Sequence, residues 1–298
     1  MGIIEQKTIL TDLTVKEAMR RQVIRLDQDA GLDRVIARFI KYKVNALLIT
    51  GAGDEPAGVV SKTDVMGAYY AELPLELPAG DIMISPPLYC GPEDSLETAL
   101  ERMREHGVYR LFVRASDAEP VEGILAYPDI VGLLYKFCHE CRYSKFNRRQ
   151  GSAEERPRFT VKEVMTPSVQ SYRESDTLTE IMEGLSAYRF GAVLIRDDRD
   201  RPTGVVSKSD LVLAYKHGVD PSAEARTVMS SPVRTCEEAD YLEAAIRTLI
   251  FSQIQRIFVR RDDPEQIVGV LSLSDAARIR SGSCQACVSS RIKVDDTP

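Results

Sequence analysis

GVVSKTD at Gly58–Asp64 returns as GVVSKSD at Gly204–Asp210, and TVKEAM at Thr14–Met19 returns as TVKEVM at Thr160–Met165. Both offsets are 146 residues, and the same offset carries Met83 to Met229 and Asp129 to Asp275 without a gap. A duplicated chain has to fold twice into the same unit, so any architecture for these 298 residues divides into two equivalent halves. Each half is itself double. The stretch from Met19 to Asp64 is followed by a looser copy from Met83 through GILAYPD to Asp129, and the second half ends from Met229 through GVLSLSD to Asp275. The reading is four repeats of roughly 60 residues, at about 14–72, 78–136, 160–217 and 224–281. They fall into modules 14–146 and 160–293, separated by a linker at 147–159 that opens NRRQGSAEERPR, charged and free of large apolar residues as an exposed connection should be.

Within the first repeat, Thr14 followed by Glu17 forms a capping-box pattern ahead of a short helix ending near Met19, repeated by Thr160 and Glu163. QVIRL reads as a strand. Leu32, Val35, Ile36, Phe39 and Ile40 fall at helical spacing and predict an amphipathic helix over Leu32–Tyr42. NALLIT reads as a buried strand, GAGDEP as a turn, AGVVS as a further strand, and a last helix begins at Ser61. Four copies of β-α-β-β-α give an α/β (α+β) class of small sheets, each needing a neighbour to cover its open face.

The strand-to-helix corner has two readings. In the structural one, Ser61 is an N-cap and Asp64 sits in the first helical turn near the positive end of the dipole. In the functional one, backbone N–H groups and the Ser hydroxyl meet an anion at the helix N-terminus while the Asp64 carboxylate accepts hydrogen bonds from a ribose diol.

The Gly-h-x-Ser-x-x-Asp pattern, in three clear copies and a looser fourth with VKEAM-like starts, resembles two tandem CBS pairs, also called Bateman modules. The resemblance covers nearly the whole chain apart from the linker and the extreme ends. It implies four CBS repeats arranged as two pairs in a disc-like body with pseudo-twofold symmetry. It also implies clefts for adenosyl ligands such as AMP, ADP, ATP or S-adenosylmethionine, with the motif Asp on the ribose and Ser or Thr near phosphate. On this chain the residues are Ser61, Thr63 and Asp64; Ser207, Ser209 and Asp210; and Ser272, Ser274 and Asp275. The second repeat departs from the pattern, because Ala126 and Pro128 stand beside Asp129 and the hydroxyl is gone, so its cleft is expected to be weak or empty. Arg110 in YRLFV and Arg256 in QRIFV stand where the family has a similar RLPV stretch. Their planar forks suit ligand phosphate, and the alternative is a surface cation at a helix end.

The 146-residue offset also links CHEC, holding Cys138 and Cys141, to CQAC, holding Cys284 and Cys287. Two such clips can surround one ion tetrahedrally, zinc by default or iron in a rubredoxin-like or iron–sulfur site. If the two tails converge on a pseudo-twofold axis they form one four-thiolate centre; if they lie apart they are two dithiols, redox active or metal-binding between two chains; the third reading gives the clips no role. Cys90 and Cys236 share the offset in strand contexts and read as small buried thiols.

The chain has three histidines, none in a motif, and no Walker loop or Gly-rich dinucleotide turn, which leaves it without the signature of an enzyme. A net charge of −6, 7% aromatics and no Trp argue against a nucleic-acid surface. Lys7 and Asp12 interrupt the only early apolar run, so neither a cleaved leader nor a membrane span is expected, and the chain is read as cytoplasmic. The functional expectation is a regulatory adenosyl-ligand sensor, signalling to an unidentified protein target in trans, with a homodimer open. The alternative is a metal- or redox-responsive scaffold whose paired clips set module geometry around non-functional clefts.

Overall fold

The computed structural model describes residues 13–140 and 159–279, with the side chains at 134, 136–140, 278 and 279 outside that description. In the first repeat the short helix α1 (Val15–Ala18) precedes β1 (Arg25–Asp27), α2 (Leu32–Tyr42), β2 (Ala46–Thr50), β3 (Pro56–Ser61) and α3 (Lys62–Tyr70). β1 runs parallel to β2, which needs a crossover, and α2 supplies it. β3 then returns antiparallel to β2, so the second strand is central. The same order recurs three times. The second repeat has β4 (Tyr89–Cys90), α4 (Leu96–Glu105), β5 (Arg110–Val113), β6 (Gly123–Ala126) and α5 (Tyr127–Glu140). The third has β7 (Ser171–Arg173), α6 (Leu178–Ala187), β8 (Ala192–Arg196), β9 (Pro202–Ser207) and α7 (Lys208–Lys216). The fourth has β10 (Thr235–Glu237), α8 (Leu242–Phe251), β11 (Arg256–Arg261), β12 (Asp263–Ser272) and α9 (Leu273–Ile279).

Local chemistry accounts for the element ends. Leu32, Val35, Ile36 and Phe39 of α2 are all buried, and the helix stops where Lys43 turns into the left-handed region at φ 51°. Thr14 and Glu17 close the expected capping box, as do Thr160 and Glu163, although the latter opens only the single 3-10 turn Val161–Glu163. The strand read at QVIRL is shifted: the β-ladder starts at Arg25 and runs to Asp27.

The described residues form two compact units, one of 13–21, 89–140, 159–168 and 235–279, the other of 22–88 and 169–234. The first holds the sheets of repeats two and four, the second those of repeats one and three. In the second unit the apolar faces of α2, α3, α6 and α7 share one core with the strand residues Leu47, Ile49, Val193 and Ile195. Each small sheet thereby covers the face it could not bury alone.

Repeats also trade their opening segments inside these units. Ile84, from the start of repeat two, bridges Val59 on β3, while Arg20, from the start of repeat one, bridges Ile124 on β6. Thr166 bridges Val270 on β12 and Ser230 bridges Val205 on β9 in the same way. The preceding Met packs on the motif glycine of the sheet it visits. A Cβ added at Gly58, Gly123, Gly204 or Gly269 would come within 2.5–2.6 Å of the sulfur of Met83, Met19, Met229 or Met165 respectively. This close approach explains why the motif opens on Gly. Gly204→Val is therefore expected to lower the stability of the chain by about 1–3 kcal/mol in urea unfolding, the usual cost of overpacking; an unchanged midpoint would mean that Met229 swings aside freely.

Candidate functional site

At all four corners the motif Asp folds back onto the residue that ends its strand. Asp64 Oδ2 accepts hydrogen bonds from the backbone N–H of Ser61 at 2.7 Å and from its hydroxyl at 2.7 Å. Asp210 Oδ2 does the same with Ser207 at 2.8 and 2.5 Å, and Asp275 Oδ2 with Ser272 at 2.9 and 2.6 Å. In the second repeat Ala126 still gives its N–H to Asp129 Oδ2 at 2.8 Å but has no hydroxyl to add. The capping arrangement is thus present, and it uses one carboxylate oxygen of each Asp. What distinguishes the corners is the other oxygen.

Asp129 Oδ1 is held by Arg20 Nε at 2.8 Å, and Asp210 Oδ1 accepts from the Ser230 hydroxyl at 2.8 Å. For Asp64 and Asp275 the second oxygen receives no hydrogen bond from another described residue. Burial raises the Asp64 carboxyl above its ordinary value, against the hydrogen bonds from Ser61 and the charge of Lys208, which pull it down. Burial likewise raises Asp129, with Arg20 the largest opposing influence.

Arg110 and Arg256 begin the central strands β5 and β11, directly opposite Ala126 and Ser272. Opposed residues of an antiparallel pair share a face, so each guanidinium starts beside the motif of its own repeat. Burial lowers Arg110 to about 10, aided by the neighbouring charge of Arg20 and opposed by Asp129. Burial lowers Arg256 as well, with Tyr109 and Asp275 opposing. In repeats one and three the same strand position is Ala, at Ala46 and Ala192, so only the corners of repeats two and four carry this cation.

The residues between Ser and Asp in repeats one and three meet each other. Lys62 Nζ donates to the Ser209 hydroxyl at 2.7 Å, and Lys208 Nζ donates to the Thr63 hydroxyl at 2.8 Å. In the fourth repeat Ser274 and Ser272 hydroxyls lie 2.7 Å apart. Two lysines, two hydroxyls and the N-termini of α3 and α7 thus come together, a setting favourable to negative charge. A separate groove of about 410 Å3, lined by Tyr172, Asp176, Glu180, Glu183 and Tyr188, is acidic and would repel a phosphate.

Sequence reading missed Arg20, Ser230, Lys62 and Lys208. The lysines were findable, since they obey the 146-residue offset; Arg20 and Ser230 were not, because the position after each Met differs in every repeat: Arg20, Ile84, Thr166, Ser230. Of the cysteines, Cys90 is buried and Cys236 half-buried; burial, with Asp94 beside one and Asp240 beside the other, pushes both thiols up to about 12 and keeps them protonated and inert. Cys141, Cys284, Cys287 and the side chain of Cys138 lie outside the described residues, as does nearly all of the 147–159 linker. Among the described residues no helix is long and apolar enough to cross a membrane.

Four small sheets, each ending in an acid fixed at a strand-to-helix corner, define a protein of four like repeats. The CBS domain model matches residues 15–71, 79–136, 161–217 and 225–282, and the chain belongs to the CBS-domain family. It is 26% identical over 202 residues to protein MJ1225 of Methanocaldococcus jannaschii, spanning 67% of this chain and 69% of that one. The crystal structure of MJ1225 superposes with a TM-score of 0.75 at 13% identity, covering 90% of this chain and all of that one. A Methanopyrus kandleri protein is 28% identical over 122 residues, covering 40% of this chain and 62% of its own length. The 5'-AMP-activated protein kinase subunit gamma-3 of Sus scrofa is 24% identical over 198 residues, 62% of this chain and 36% of its own. The chain therefore spans less than two thirds of two of these three relatives.

Proposed function

We propose that this protein is a regulatory sensor of adenosyl ligands, with the ribose hydroxyls received by the motif carboxylates and a phosphate received at the helix N-termini beside the motif hydroxyls. The observation that carries the reading is the divided use of each carboxylate. One oxygen is spent on fixing the acid at its corner, and at Asp64 and Asp275 the other is available to a donor from outside the chain. A backbone-fixed acceptor loses no side-chain freedom on binding, which favours affinity. The likeness to a subunit of an AMP-activated kinase supports the choice of an adenine nucleotide.

The signal would pass to a protein target in trans through two arrangements of the chain that differ in ligand affinity. Isothermal titration of the full chain with AMP, ATP and S-adenosylmethionine tests the reading. Saturable binding of at least one is expected, and its loss in Asp64→Ala/Asp275→Ala ties it to these corners. Absence of heat with all three up to millimolar concentration would overturn it.

A further inference from the structure

The four motif carboxylates sit in nearly identical backbone settings, yet their second oxygens do not. The difference traces to a single position. Arg20, Ile84, Thr166 and Ser230 each follow a Met that packs on a motif glycine, and each exchanges backbone hydrogen bonds at 2.9–3.0 Å with the residue two before the motif Ser or Ala. Identical register places their side chains equivalently over the corner of the sheet they visit. From these contacts we infer that the residue after the Met acts as a gatekeeper that decides which corners accept a ligand: Ile84 and Thr166 leave Asp64 and Asp275 open, Ser230 partly occupies Asp210, and Arg20 locks Asp129 shut. The inference rests on the adenosyl-ligand reading and adds to it which sites are silent and why.

The chemistry ranks the corners. Ser230 offers Asp210 a neutral hydroxyl, and a ribose hydroxyl can replace it with little net change. Arg20 offers Asp129 a charge-assisted bond to a side chain only 9% exposed, and a neutral ribose hydroxyl cannot match it. Displacing Arg20 would also leave a nearly buried carboxylate with Arg110 as its remaining cation, a costly arrangement. The guanidinium thus takes the place that a ligand would occupy. Loss of the motif hydroxyl at Ala126 leaves Asp129 Oδ2 with the Ala126 N–H, while Arg20 takes Oδ1.

Two reciprocal substitutions test the gate on the full chain, with AMP as the probe and calorimetric stoichiometry as the readout. Arg20→Thr, which installs the residue found at position 166, is expected to add one AMP site per chain. Thr166→Arg, which leaves Asp129 untouched, is expected to remove one, and it stands as an independent variant should Arg20→Thr fold poorly. Thermal unfolding accompanies both to confirm that the chain is folded. If the wild type binds AMP and both folded variants keep its stoichiometry, the gatekeeper inference is overturned while the sensor reading stands. If the wild type binds none of AMP, ATP and S-adenosylmethionine and Arg20→Thr gains no site for any of them, both fall together.

Discussion

Asp64→Asn is expected to unfold at the same or higher urea concentration than the wild type while weakening AMP binding at its corner about 10–100-fold. The two halves of this outcome have separate causes. Asn keeps an acceptor oxygen for the Ser61 N–H and hydroxyl, so the corner stays closed. It removes a carboxylate whose burial holds its pKa above the ordinary value. A folded-state pKa above the unfolded one means that the ionised form is penalised by folding. That penalty is present above the folded pKa and fades as the pH falls through the folded and then the unfolded pKa, where the carboxyl is protonated in both states. The stability difference between variant and wild type should accordingly be seen at pH 7 and close in acid. Binding responds differently, because a ribose hydroxyl loses a charge-assisted partner worth roughly 1.5–3 kcal/mol, or about 10–100-fold. An Asp that served only as a helix cap would keep its affinity on the change to Asn, because Asn preserves the acceptor that closes the corner. Urea unfolding at two pH values and one titration separate the two readings.

How far the sequence reveals this site follows from what repetition can and cannot carry. The 146-residue offset exposes whatever the repeats hold in common. The order of elements, the capping boxes at Thr14 and Thr160 and the corner residues Ser61, Ser207 and Ser272 all appear where periodicity and cap chemistry put them. The helix over Leu32–Tyr42 is found to the residue, because five apolar side chains at helical spacing leave little freedom. The strand at QVIRL is displaced because Val23 and Ile24 lie ahead of the paired residues, half-buried as they feed into the sheet, with Ile24 lending its carbonyl to the Leu48 N–H at 3.1 Å. An apolar run alone does not say which part of it is hydrogen-bonded. The exchange of opening segments is harder still. Arg20 reaches Asp129 from more than a hundred positions away, and its column in the repeat alignment reads Arg, Ile, Thr, Ser. A pattern built from sameness discards such a column, and it is there that the four corners become chemically distinct.

The other large effect lies in the pairing of repeats one and three. Tyr69 and Tyr215, equivalent under the offset, stack with ring centroids 5.1 Å apart at 20°. Each hydroxyl crosses to the other repeat: Tyr69 donates to the Val219 carbonyl at 2.7 Å and Tyr215 to the Leu73 carbonyl at 2.5 Å. Both rings are buried, at 2% and 7% exposure, in the core shared by α3 and α7. Tyr69→Ala is expected to cost about 3–5 kcal/mol of stability in urea unfolding, in line with other buried aromatic truncations. Tyr69→Phe, which keeps the ring and strands only the Val219 carbonyl, should cost about 1–2 kcal/mol. Because the two rings form one contact, Tyr69→Ala/Tyr215→Ala should lose less than the sum of the single changes. The same pair sets an alkaline limit. Burial first, and Asp220 second, push Tyr69 up to about 12, and burial raises Tyr215 too. A phenol with a folded pKa above its unfolded value near 10 stabilises the chain fully below pH 10, and that contribution drains away as the pH rises toward 12, because the unfolded chain gives up its proton first. Alkaline unfolding should therefore begin above pH 10 and be blunted in Tyr69→Phe. An unchanged alkaline profile, with no coupling between the two alanine substitutions, would mean that the stacked pair is not what joins these repeats.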